Sequence, residues 1–201
     1  MKVLMTGFEP FGGEQINPSW EAVRQLTAPE GTELIKHCLP VSFREAPAQL
    51  ETLIRQNHPD IVLCVGQAGG RSGISLERIA VNLMDARIPD NDGYQPAEET
   101  VFPEGETAYF SHLPLREMEA WLKAAGLPVQ ISNTAGLYVC NCVFYTAAFL
   151  AAREYPDMKA GFIHVPYLPE QSRGGSMPFL DLEEDRRALE LLVKGLSSGR
   201  E

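Results

Sequence analysis

The sequence predicts a single α/β domain built on a twisted, largely parallel, mixed sheet. Three observations lead there. Short apolar runs alternate with amphipathic segments along the chain. One run, Ile61 to Val65, is continuously apolar, as befits a strand buried on both faces. The length, 201 residues, matches one domain and allows about 70% of the unfolded surface to be buried, so no disulfide or metal staple is required.

Taken in order, Lys2–Thr6 reads as the first strand. Asn17-Pro18 follows as an N-cap with proline at the first helical position, and Trp20, Val23 and Leu26 give that helix its apolar side. A strand is expected at Glu33–Leu39. After Ser42, a helix carries Ala46, Leu50, Leu53 and Ile54 at helical spacing. Arg71–Arg87 reads as extended, and residues 88–112 as loop-rich around the turn chemistry of Pro89–Gly93. Leu115–Ala125 reads as a helix, Val129–Ser132 as a strand, Asn141–Tyr155 as a well-buried helix and Lys159–Val165 as another strand. The last helix begins near Asp181, where Asp181 and Glu184 have capping-box spacing, and its stripe is Leu189, Leu192, Val193 and Leu196. Residues 197–201 read as a frayed tail. No repeat or linker divides residues 1–201.

Lys and Arg total 17 and Asp and Glu 27, a net charge of −10, which argues against nucleic acid or an anionic membrane as partner. The opening residues are too short an apolar run for a signal peptide, and Val143–Ala152 is about half a bilayer span. The expectation is a soluble, unexported protein whose four cysteines are thiols.

In an open parallel sheet, ligands bind beyond the carboxyl ends of the strands. If the sheet is parallel throughout, four segments converge there: the Gly7–Gly13 loop, the Gly66–Arg71 loop, the approach to Cys140, and His164. Cys38 and Cys64 lie in strands and read as small core hydrophobes. Cys140 falls where a loop enters a helix, so unpaired N–H groups and the helix dipole favour its thiolate; the alternative is a buried structural cysteine. Cys142 is roughly 200° further around that helix. His164 is either a hydrogen-bonded core histidine or a general base. Glu77, on an apolar strand face, requires a partner: Arg71 or Arg87 in a structural role, or an imidazole in a catalytic one. His37, His58 and His112 read as structural or surface residues. The glycine loop after Val65 lacks the residues of a phosphate loop, and Cys140-Asn141-Cys142 has no companion pair for a metal.

Six segments in order, TGFEPFGG, NPSWEAV, VGQAGGR, ERIAVNLMDARIPDN, SNTAGLYVCN and FIHVPY, together resemble the pyroglutamyl peptidase I (pyrrolidone-carboxylate peptidase) family of cysteine peptidases, collinearly over about residues 1 to 170. The resemblance implies an α/β/α sandwich, no cofactor, a cytosolic protein that is often a homotetramer, and peptides with N-terminal pyroglutamate as substrates. By motif it assigns a catalytic trio of Cys140, His164 and Glu77. It assigns substrate contacts to Phe8, Phe11, Asn17, Gln67, Arg87, Tyr138 and Val139. Leu137-Tyr138 stands where the family usually reads Thr-Phe, and Cys142 where an aromatic or histidine is common.

Overall fold

The computed structural model describes residues 1–172 and 174–198. A six-stranded sheet holds β1 (Lys2–Phe8), β2 (Glu33–Leu39), β3 (Ile61–Gln67), β4 (Ile74–Glu77), β7 (Val129–Ser132) and β8 (Lys159–Val165) in the order β2-β1-β3-β8-β4-β7. A separate two-stranded ribbon pairs β5 (Ile79–Val81) with β6 (Ala108–Phe110). The helices are α1 (Pro18–Arg24), α2 (Glu45–Asn57), α3 (Leu115–Ala124), α4 (Val139–Arg153) and α5 (Leu182–Ser198).

Strand alternation divides the core in two. Leu4, Val62, Cys64 and Phe162 face α2 and α4, where Leu50, Ile54, Val143, Phe144 and Leu150 meet them. Val3, Met5, Leu63, Val65, Leu76 and Ile163 face the other way, against Val23, Met118, Leu122, Leu189 and Leu192 of α1, α3 and α5. Helices therefore cover both faces, which is why β3 carries no polar alternation. The approach of α1 to β1 is close enough that a Cβ on Gly7 would sit 2.6 Å from the backbone N and Cα of Trp20, so only glycine fits. Asn17 caps α1 as expected, its side chain accepting from the Ser19 N–H at 3.1 Å.

The sheet is mixed. β2, β1, β3 and β8 are parallel, whereas β4 pairs antiparallel to β8 and parallel to β7. The strand before Cys140 therefore runs opposite to the β3 and β8 strands it was expected to accompany. The reason is the short segment 68–73, which cannot make the crossover of a dozen residues that a parallel return requires. Residues 71–87 are likewise not one extended run: Arg78 separates β4 from β5, and the two belong to different sheets. Cys64 is fully buried, but Cys38, on the edge strand β2, is partly exposed rather than a core residue. Helix α5 extends through Ser198, and 199–201 of the expected tail lie outside the described residues. No helix among the described residues is long and apolar enough to cross a membrane.

Asp185, in the first turn of α5, is completely buried, and neither carboxyl oxygen has a hydrogen-bond partner among the described residues. Burial, with Glu184 and Asp181 adding to it, pushes its pKa up to about 8. An acid whose folded pKa lies above its unfolded value of about 3.9 binds its proton more tightly when folded, so stability is lost as pH rises from about 4 to 8. Asp185→Asn, neutral at every pH, is expected to melt near wild type at pH 4 and roughly 5–10 °C higher at pH 8.5. A melting difference that stays constant from pH 4 to 8.5 would refute this account.

Candidate active site

β3 and β8 lie side by side, with Gly66 in register with His164. Gly66 has no side chain, and that is what admits the thiol: a Cβ there would lie 2.8 Å from Cys140 Sγ and 2.8 Å from the Phe162 ring. Helix α4 brings Cys140 to this point on the sheet face that carries Phe162. Residues 133–138 carry the chain from the end of β7 back to the carboxyl ends of β3 and β8, and α4 begins at Val139. Asn141 locks that first turn in place. Its Oδ1 accepts from the Val81 N–H at 3.0 Å, and its Nδ2 donates to the carbonyls of Val81 at 2.9 Å and Leu83 at 3.0 Å. Sequence reading had given Asn141 no role.

His164 is buried, with its ring 4.9 Å from that of Phe162. Its Nδ1 is 2.8 Å from Glu77 Oε1. The antiparallel register accounts for the contact: Ser75 lies opposite His164 and Glu77 opposite Phe162, so Glu77 and His164 are diagonal neighbours on one sheet face. Glu77 also takes the structural partner considered for it. Arg71 NH1 reaches the same oxygen at 2.5 Å, and its NH2 donates to the Thr134 carbonyl at 3.1 Å. The carboxylate is thus shared between an imidazole and a guanidinium.

Burial alone would raise the Glu77 carboxyl, but the hydrogen bond and charge of His164, with Ser132 and Arg71, outweigh it and hold the pKa below the ordinary value. For His164, burial lowers the pKa and Glu77 only partly restores it. The Cys140 thiol is pushed up to about 12, by burial first and then by the Glu77 carboxylate. This corrects the expectation of a depressed thiol pKa: the helix start is present, but enclosure and a facing carboxylate overcome it. Both directions favour the neutral thiol and the neutral imidazole in the free site. Cys142 is buried, with Sγ against the Phe43 carbonyl and Met84 Sδ, so it faces the core.

A cavity of about 290 Å³ opens over these groups. Cys140 and His164 line it, together with Phe8, Phe11, Asn17, Gln67, Arg87, Tyr138 and Val139; Glu77 stands behind His164. Phe8 is a buried wall, and Phe11 and Tyr138 pack with ring centroids 6.0 Å apart. The Tyr138 hydroxyl donates to the Pro89 carbonyl at 3.0 Å, so the extra oxygen at this position is satisfied by the loop that carries Arg87. Arg87 itself is exposed at the rim. The amide of Asn17 is engaged by the fold: besides capping α1, its Nδ2 donates to the Glu9 carbonyl at 2.9 Å. Arg71, weighed only as an ion-pair partner for Glu77, also lines the cavity, as do Ala68 and Gly69. No group of three or more His, Cys, Asp or Glu side chains among the described residues is arranged to share a metal ion.

Comparison with known proteins agrees with this architecture. The family model described as pyroglutamyl peptidase matches residues 1–197. The chain is 48% identical over 200 residues to the pyrrolidone-carboxylate peptidase of Thermosipho melanesiensis, covering 98% of this chain and 99% of that protein. It is 49% identical over 195 residues to the enzyme of that name from Thermococcus onnurineus, covering 96% and 98%. The crystal structure of pyroglutamyl peptidase I from Bacillus amyloliquefaciens superposes with a TM-score of 0.94 at 44% identity, covering 98% of this chain and 95% of that one. With its whole length matched in sequence and in fold, the chain belongs to the pyroglutamyl peptidase family of peptide hydrolases.

Proposed function

We propose that the protein removes N-terminal pyroglutamyl residues from peptides as a cysteine peptidase, with Cys140 as nucleophile, His164 as proton shuttle and Glu77 as the group that orients His164. One observation carries the reading: the 2.8 Å contact between Glu77 Oε1 and His164 Nδ1, set directly behind the cavity that Cys140 lines. With Nδ1–H given to the carboxylate, Nε2 is the ring nitrogen left to accept a proton.

The chemistry follows from the resting protonation. Because the thiol pKa is raised and the imidazole pKa lowered, the proton leaves Sγ for Nε2 as the bond from sulfur to the pyroglutamyl carbonyl carbon forms. Negative charge moves to the carbonyl oxygen; no side chain among the described residues caps the start of α4, so the N–H groups of its first turn, that of Cys140 among them, are the candidate donors, with Arg87 at the rim. Collapse of the intermediate breaks the bond to nitrogen, and Nε2 returns the proton to the leaving amine. A water then attacks the thioester as His164 takes one of its protons, and pyroglutamate leaves with the thiol restored. Glu77 stays ionised throughout, stabilising the imidazolium.

The lactam is small, flat and uncharged, which suits a slot walled by Phe8, Phe11 and Tyr138. An N-terminal glutamate would bring two charges into the same walls, poorly solvated there. Pyroglutamyl-aminocoumarin is therefore expected to be hydrolysed at least ~100-fold faster in kcat/KM than glutamyl-aminocoumarin. Comparable turnover of the two would sink the reading.

A further inference from the structure

Gln171 lies in a single 3-10 turn, Pro169–Gln171, after β8, and its side chain is buried. Each of its amide atoms has an assigned neighbour. Oε1 accepts from the backbone N–H of Leu168 at 3.1 Å. Nε2 lies 3.4 Å from the Ile16 carbonyl, 3.4 Å from Glu14 Oε2 and 3.2 Å from Gln67 Oε1. A backbone N–H can only donate and a backbone carbonyl can only accept, so the amide of Gln171 has one permitted orientation. The NH2 group it turns toward Gln67 can only donate. Two hydrogens serve three acceptors there, of which Gln67 Oε1 is the nearest; Gln67 answers with its oxygen, because its own NH2 turned toward that NH2 would find no acceptor on it.

Gln67 lines the cavity, and with Oε1 held by Gln171 its Nε2 is the polar atom left for a ligand. We infer that Gln171 is a positioning residue: a relay from the Leu168 N–H through Gln171 fixes Gln67 as a hydrogen-bond donor to the ring carbonyl of a neutral lactam. The inference rests on the functional reading above and extends it to a specific atom of the substrate. The same side chain ties three cavity segments together: the loop before α1, the end of β3 and the turn after β8. A ring without that carbonyl, such as proline, gains nothing from the donor, whereas a lactam completes it.

The test is Gln171→Met, which fills the volume and removes the relay. For pyroglutamyl-aminocoumarin, KM should rise roughly tenfold, as expected for one hydrogen bond to a neutral acceptor, and the inhibition constant of 2-pyrrolidone should rise with it. Values of kcat and the rate of Cys140 alkylation by iodoacetamide should stay within about twofold, since the thiol and imidazole are untouched. A loss caused by loosened structure would instead fall on kcat and the melting temperature. If Gln171→Met does not fold, Gln67→Glu keeps an acceptor for Gln171, replaces the cavity donor with an acceptor, and is expected to show the same loss of 2-pyrrolidone binding. Side-chain amide exchange by NMR reads the orientation without activity: the Gln171 NH2 should exchange slowly, and the Gln67 NH2 should exchange fast and shift on adding 2-pyrrolidone. Wild-type KM and inhibition constant in a folded Gln171→Met protein, or a slow-exchanging Gln67 pair, would overturn the relay. A wild-type protein that neither hydrolyses pyroglutamyl-aminocoumarin nor binds 2-pyrrolidone would overturn the functional reading instead, and the exchange measurement would still decide the relay.

Discussion

Cys140→Ser is expected to give a folded protein whose pyroglutamyl-aminocoumarin hydrolysis falls by about three orders of magnitude or more. The thiol occupies a gap left by Gly66 beside the Phe162 ring, and serine is smaller, so packing survives the change. What is lost is the nucleophile: a hydroxyl is far harder to deprotonate than even a thiol raised to about 12. Cys142→Ser is the matched control. Its side chain faces the core near the Phe43 carbonyl and Met84, so it should cost some stability and little activity. Alkylation supplies a second readout. Since the free thiol is mostly neutral, its rate of reaction with iodoacetamide should climb steadily from pH 6 to 9 rather than stay flat, as it would for a preformed thiolate–imidazolium pair. Fast alkylation at Cys142 or Cys64, by mass spectrometry, would move the nucleophile elsewhere.

What was readable in the residues, and what was not, divides by the range of the forces involved. Glu33–Leu39, Val129–Ser132 and Lys159–Val165 are strands over the ranges expected, because an apolar run bounded by turn residues is a local signal. β1 and β3 extend two residues further than expected, to Phe8 and Gln67, since pairing with neighbouring strands carries the ladder into the glycine-containing ends. Strand direction is not local. The reversal of β4 and β7 is visible only in the brevity of segment 68–73, and the β5–β6 pairing joins residues on either side of the long connection 82–107. The thiol pKa divides the same way: the helix start at Cys140 was legible, but enclosure by Gly66 and Phe162 and the facing Glu77 belong to the tertiary structure. Gln171 lies furthest from view, because a glutamine in a turn carries no sign of which amide it will face.

Glu77→Gln distinguishes orientation of His164 from simple ion pairing with Arg71. Glutamine preserves shape and a hydrogen-bonding oxygen but cannot stabilise imidazolium, and its amide can instead donate to Nδ1, selecting the tautomer that places the proton on Nε2 where a base is needed. The fall in kcat is expected to be on the order of 10²–10⁴. Arg71 keeps its bond to the Thr134 carbonyl and is partly exposed, so it can be re-solvated, and the melting temperature should drop only modestly. Arg71→Met supplies the contrast: if the carboxylate serves chiefly to pair with the guanidinium, this variant should lose as much activity as Glu77→Gln, whereas an orienting Glu77 predicts a much smaller loss. His164→Ala should cost more than either, since it removes the proton carrier. The double variant Glu77→Gln/His164→Ala should then be little worse than His164→Ala alone, because Glu77 acts through the imidazole and has nothing left to act on. The measurement is the full cycle on kcat/KM with thermal melts alongside, and fully additive losses would return Glu77 to a structural ion pair.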